Sequence, residues 1–156
     1  MTSRIVVIGV GNPDRGDDAA GHAVAKRLES AGLAGVEILR LPGEAARLLE
    51  ACENARAVFM IDACISGAAA GTVHRLDARE NLPAETAFGF SSHGFGLAEA
   101  IALGKTLDVL PPVCIVYAIE GAGFEPGEPL SCAVIQGVED VVSRILLELD
   151  ALQRGA

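Results

Sequence analysis

Hydrophobic residues fall into two kinds of grouping along the chain. Short continuous runs, "RIVVIG" at 4–9, "AVFMIDA" at 57–63 and "VCIVYAIEG" at 113–121, with the shorter "VEILRL" at 36–41, show little polar alternation. A strand covered on one face alternates apolar and polar residues, whereas a strand covered on both does not, so these runs predict parallel strands inside a sheet. Between them, apolar residues recur at helical spacing: Ala20, Val24, Leu28 and Ala31; Ala45, Leu48, Leu49 and Cys52; Leu97, Ile101 and Gly104. The clearest amphipathic pattern is the last, Val134, Val138, Val141, Val142, Ile145 and Leu149, with Ser131 placed as its N-cap. "GTVHRL" at 71–76 reads as an edge strand after a Gly/Ala turn.

The order β-α-β-α-β, an edge strand, then α-β-α predicts an α/β fold. We expect a single domain over residues 1–156, an open, twisted, mostly parallel sheet with helices on both faces. There is no internal repeat or interdomain linker. The longest irregular stretch, "DARENLPAETAFGFSSH" at 77–93, ends on His93, and structureless loops longer than about 12 residues in compact domains are commonly functional.

Composition narrows the partners. With 51% hydrophobic residues, 4% aromatic and no Trp, the core must be built from Ala, Val, Ile and Leu. The formal net charge of −9 argues against nucleic acid or an anionic membrane as the partner. No apolar run reaches the ~18 residues of a membrane span, and "MTSRIVVIGVG" lacks the basic and apolar regions of a secretory signal, so a cytoplasmic protein is expected. Cys52, Cys64, Cys114 and Cys132 form no C-x-x-C pair, which predicts buried, reduced thiols rather than a zinc knuckle or redox motif.

In open parallel sheets, ligands bind beyond the carboxyl ends of the strands, where strand order reverses. The first apolar run leads into "GVGNPDRGDD" at 9–18 and the third ends on Asp62. If their strands are neighbours with the second strand on the far side, the loop and Asp62 face each other. The glycines do not make a phosphate cradle: the spacing is G-x-G-x-x-x-x-G, no Gly-Lys-Ser/Thr follows, and Asp14, Asp17 and Asp18 would compete with an anion at the helix start. Capping by Asp17 or Asp18 is the local alternative, and one of the two is expected to cap. It does not explain Asp62, an acid following five apolar residues, which is costly to desolvate without a hydrogen bond, a partner charge or a cation. His93, in "SSHGFGL", sits among small residues that leave its ring room to project. Two carboxylates and one imidazole suit a divalent transition metal with open coordination positions. Cys64 as a nucleophile paired with His93, and Glu120 as a site-lining residue, are weaker possibilities; His22 and His74 lack a comparable setting. Adjacent Ser91 and Ser92 do not form a nucleophile elbow.

"GVGNPDRGDDAAG", "MIDACISG" and "SSHGFGL", in this order and at these separations, resemble the hydrogenase maturation proteases, which trim the large subunit of nickel–iron hydrogenases. The resemblance implies an α/β fold and assigns Asp18, Asp62 and His93 as metal ligands and catalytic residues. It further implies that Ni²⁺ arrives with the precursor, that the enzyme has no tightly bound cofactor of its own, and that the reaction removes a C-terminal extension. The chain is expected to act as a monomer on the large-subunit precursor. It departs from the family pattern after Asp18, where Ala19, Ala20 and Gly21 follow, and at Leu41–Glu44, where many members carry an acid or paired glycines. A nickel-sensing chaperone or binding module without catalysis would use the same three residues.

Overall fold

In the computed structural model, residues 4–80 and 96–155 are described together with the backbone of 89–90. The elements are β1 (Ile5–Val10), α1 (Ala20–Ser30), β2 (Val36–Leu41), α2 (Ala45–Cys52), β3 (Ala57–Ile65), β4 (Val73–Asp77), β5 (Gly89–Phe90), α3 (Leu97–Leu107), β6 (Val113–Glu120) and α4 (Cys132–Arg154), with a 3-10 turn at Gly16–Ala19 before α1. The sheet runs β2-β1-β3-β6-β4. β1, β2, β3 and β6 are mutually parallel. The edge strand β4 is antiparallel to β6, and β5 is antiparallel to the far end of β3.

Burial explains the order. Every residue of β1 is buried, as is β3 up to Cys64, and these uniform apolar strands take the centre. β2 and β4, which carry Glu37, Arg40 and Arg75, lie half exposed at the edges. Odd-numbered residues of the central strands (Val7, Phe59, Ile61, Tyr117, Ile119) pack under α1 and α4, and even-numbered ones (Val6, Ile8, Val58, Met60, Val116) under α2 and α3. This strict period of two follows from the pleat. All six apolar positions read into the last helix, from Val134 to Leu149, are buried, and Ser131 caps it by accepting from the Val134 N–H at 3.4 Å. Among the described residues, no helix is long and apolar enough to cross a membrane.

β3 does not end at Asp62. Its pairing with β6 continues through Asp62↔Ala118 to Cys64↔Glu120, and β5 adds Cys64↔Phe90 on the opposite side. The β1–β3 ladder, by contrast, stops at Gly9↔Ile61. Asp62 therefore lies inside a strand, just past the point where β1 leaves the sheet.

Candidate active site

β1 and β3 are neighbours and β2 lies on the other side of β1, so the chain reverses its direction of winding between them. Access to this point depends on glycine. A Cβ on Gly21 would lie 2.2 Å from the Ile61 carbonyl oxygen and 2.5 Å from that of Val10, and a Cβ on Gly9 would lie 2.3 Å from the Gly21 carbonyl oxygen. The start of α1 thus rests backbone to backbone on β1 and β3. Gly11, at φ +132°, turns the chain out of β1 with the Asp18 carbonyl beside it. These glycines serve close approach and turning, and no phosphate is needed to explain them.

The two consecutive acids have different surroundings. Asp17, 1% exposed, accepts four hydrogen bonds from the segment joining β6 to α4: Ala122 N–H (2.7 Å), Gly123 N–H (3.1 Å) and the Ser131 hydroxyl (3.0 Å) on Oδ2, and Ser131 N–H (2.8 Å) on Oδ1. Asp18 Oδ2 accepts from the Asn12 N–H at 3.1 Å, closing the glycine loop. Neither caps a helix: the cap positions are Arg15 and Ala19, without a side-chain cap bond. The capping expectation fails because the 3-10 turn aims Asp17 across to another segment.

Burial pushes the Asp17 carboxyl up, but hydrogen bonds from the Ser131, Ala122 and Gly123 N–H groups and the Ser131 hydroxyl outweigh it and hold the group below its ordinary value of 3.8. A depressed carboxyl contributes stability that is complete above the unfolded-state pKa and is lost as pH falls through the lower folded-state value. Asp17→Asn, which aims an amide N–H₂ at donors or leaves them unpaired, is expected to lower stability by about 2–4 kcal/mol at neutral pH. Its stability should also fall less steeply below about pH 4. Urea denaturation along an acid series checks both; a wild-type midpoint at pH 7 would contradict this role.

Asp18 is 4% exposed and Asp62 is fully buried. Asp62 Oδ1 accepts from the Ala63 N–H at 2.8 Å. The 3-10 turn that carries Asp18 packs against β3, so both acids belong to the same crossing of β1, α1 and β3. His93 lies outside the described residues, between β5 and α3 in sequence. His22 Nε2 is 3.3 Å from the Leu41 carbonyl oxygen, which ties it to the end of β2.

A second polar cluster surrounds Glu120, 2% exposed. Its Oε2 accepts from the Ser66 N–H at 2.9 Å. Toward Oε1 converge the Ser66 hydroxyl, the Ser66 N–H (3.2 Å), the Cys64 thiol (3.4 Å) and His74 Nε2 (3.3 Å). Burial raises the Glu120 carboxyl, and the Ser66, Cys64 and His74 hydrogen bonds more than offset it, so the group titrates below its usual range. The Cys64 thiol is pushed far up by burial and then by the Glu120 and Asp62 charges, which makes it a poor free nucleophile. In the sequence no motif connects Cys64, His74 and Glu120. The signal that joins them is the strand register, with Cys64 opposite Glu120 and His74 opposite Ala118.

The same architecture occurs in solved structures. The hydrogenase maturating endopeptidase HybD from E. coli is 24% identical, with 95% of this chain and 93% of that one covered at a TM-score of 0.75. The hydrogenase maturation protease HycI from Thermococcus kodakarensis KOD1 is 24% identical over 92% and 90%, at 0.70. An endopeptidase from Escherichia coli, solved in solution, is 24% identical over 94% and 91%, at 0.77. These likenesses show the fold. No curated protein matches the chain significantly. A family model described as hydrogenase maturation protease matches residues 22–148, a span that contains Asp62 and the segment clamped by Asp17, and by this match the chain belongs to the hydrogenase maturation protease family and is a hydrolase of the peptidase class.

Proposed function

We propose that the chain is an endopeptidase that removes the C-terminal extension from the nickel-loaded large-subunit precursor of a nickel–iron hydrogenase. The observation that carries this reading is the burial of two carboxylates, Asp18 and Asp62, at the switch point of the sheet. Two acids withdrawn from water on elements packed against one another concentrate negative charge, and a divalent cation offsets that cost. With His93, assigned by its motif, they supply an O, O, N donor set that fits a transition metal and leaves coordination positions open. Nickel is cargo of the substrate, and Asp18, Asp62 and His93 hold it on docking.

Bound nickel polarises a peptide carbonyl or acidifies a water molecule. The chain's residues do the rest. The Gly21 contact holds the Asp18 turn against β3, Asp17 fixes the β6–α4 segment beside it, and a carboxylate oxygen not engaged with metal accepts the proton of the attacking water and passes it to the departing amine. Because the nickel arrives with the precursor, a free peptide lacks part of the site.

The test incubates pure enzyme with nickel-loaded precursor, apo-precursor plus chelator, and a free peptide spanning the scissile bond, and follows the C-terminus by mass spectrometry. Shortening of the nickel-loaded precursor alone is the expected result. Efficient cleavage of the apo form would exclude nickel gating, and stable precursor binding without any cleavage would favour a chaperone.

A further inference from the structure

We propose that Cys64, His74 and Glu120 form a second divalent-metal site, a thiolate–imidazole–carboxylate pocket for a zinc-class ion, distinct from the Asp18–Asp62–His93 set. The three residues come from three adjacent strands. β3, β6 and β4 are hydrogen-bonded in that order, and Cys64, Glu120 and His74 lie on the same face by register. Backbone bonds lock this corner: Glu120 N–H donates to Thr72 O (2.9 Å), Gly71 N–H to Glu120 O (2.7 Å) and Gly121 N–H to Cys64 O (3.0 Å). A site built on paired strands is held more precisely than one on loops.

The spacing suits a tetrahedral ion. Their ligand atoms all lie within 4.8 Å of one another. Metal–sulfur distances of about 2.3 Å and metal–nitrogen or –oxygen distances of about 2.0 Å put the S–O and N–O edges of a tetrahedron about 3.5 and 3.3 Å apart. The corresponding separations are 3.4 Å for Cys64 Sγ to Glu120 Oε1 and 3.3 Å for His74 Nε2 to the same oxygen. Four donors now crowd that one oxygen, about twice what its lone pairs accommodate. An ion among the three residues relieves the crowding, because sulfur and imidazole then face the metal instead of the carboxylate.

Charge favours the exchange as well. A thiolate, a carboxylate and a neutral imidazole sum to −2 and neutralise a divalent ion, which a buried corner requires. On binding, the Cys64 S–H proton leaves to solvent and a sulfur–metal bond takes its place. His74, with 24% of its side chain exposed, provides the entry side, and the fourth position is left for water. The sulfur ligand selects zinc or cobalt over magnesium or calcium. The ion would tie the exposed edge strand β4 to β3 and β6.

The test uses cobalt as a probe. Full-length Cys132→Ser protein, which lacks the exposed thiol, is reduced, stripped with chelator and titrated with Co²⁺. A thiolate-to-cobalt charge-transfer band in the near ultraviolet, saturating at one equivalent and abolished by Zn²⁺, is expected, together with a zinc-dependent rise in melting temperature. Cys64→Ser should erase the band, and His74→Ala, on an edge strand that tolerates it, should weaken cobalt binding at least about tenfold. Asp18→Asn should leave the band intact, which separates this site from the peptidase reading. Absence of the band at one equivalent, its survival in Cys64→Ser, or unchanged affinity in folded His74→Ala would overturn the proposal.

Discussion

Asp18→Asn and Asp62→Asn should each reduce processing of nickel-loaded precursor by more than ~100-fold while leaving the fold standing. Substitutions one shell away from a metal already cost 10–100-fold, so losing a ligand's charge should exceed that. The fold survives for a local reason. Asp18 Oδ2 accepts from Asn12 N–H and Asp62 Oδ1 from Ala63 N–H, and an amide carbonyl oxygen can accept each of these bonds. Asp17→Asn should cost more, because its carboxylate accepts four hydrogen bonds spread over both oxygens and an amide has one acceptor oxygen. Circular dichroism and thermal melts of the three variants, beside the mass-spectrometric assay, separate the roles. Processing retained in both Asp18→Asn and Asp62→Asn would remove these acids from the reaction. An unfolded Asp18→Asn would make it structural.

Gly21→Ala is the second large effect. One methyl group would be set 2.2 Å from the Ile61 carbonyl oxygen, 2.5 Å from the Val10 carbonyl oxygen and 2.8 Å from the Val10 nitrogen. Overpacking a core costs about 1–3 kcal/mol when side chains can yield. Here the neighbours are backbone of the two central strands, so the loss should reach or exceed the top of that range. For a chain of this size that is a fall of roughly 6–12 °C in melting temperature. Helix α1 must lift from the sheet to make room, carrying the Asp18 turn away from β3, so nickel-dependent processing should fall with stability. Calorimetry decides: a shift under about 2 °C would mean that the crossing relaxes freely and does not position Asp18.

Both predictions turn on distinctions between residues that look alike in one dimension. Asp17 and Asp18 are neighbours of the same type at a helix start, and nothing local separates them. What separates them is the chain more than a hundred residues later, where Ala122, Gly123 and Ser131 bring donors to Asp17. Capping was the reasonable local expectation and failed because a 3-10 turn, rather than the first turn of α1, holds the pair. Likewise "AVFMIDA" suggested a strand ending at Asp62; three more residues pair because β6 and β5 offer backbone partners there. Polarity marks where an isolated strand would stop, but hydrogen-bonding neighbours decide where it does.

The four main strands, the edge strand, the four helices and the Ser131 cap were legible in the sequence by itself. Each depends on short-range physics: two-sided burial makes apolar runs, a 3.6-residue period makes amphipathic faces, and a hydroxyl before a helix satisfies its free N–H groups. Family membership was legible too, through three ordered motifs, and His93 enters the proposed site through its motif. Tertiary structure decided the rest. It set the strand order that brings Asp18 and Asp62 to one crossing, divided two adjacent acids into a clamp and a candidate ligand, and joined Cys64, His74 and Glu120 into a cluster. Those outcomes depend on strand register and on backbone contacts between segments distant in sequence, and no local pattern of residues encodes them.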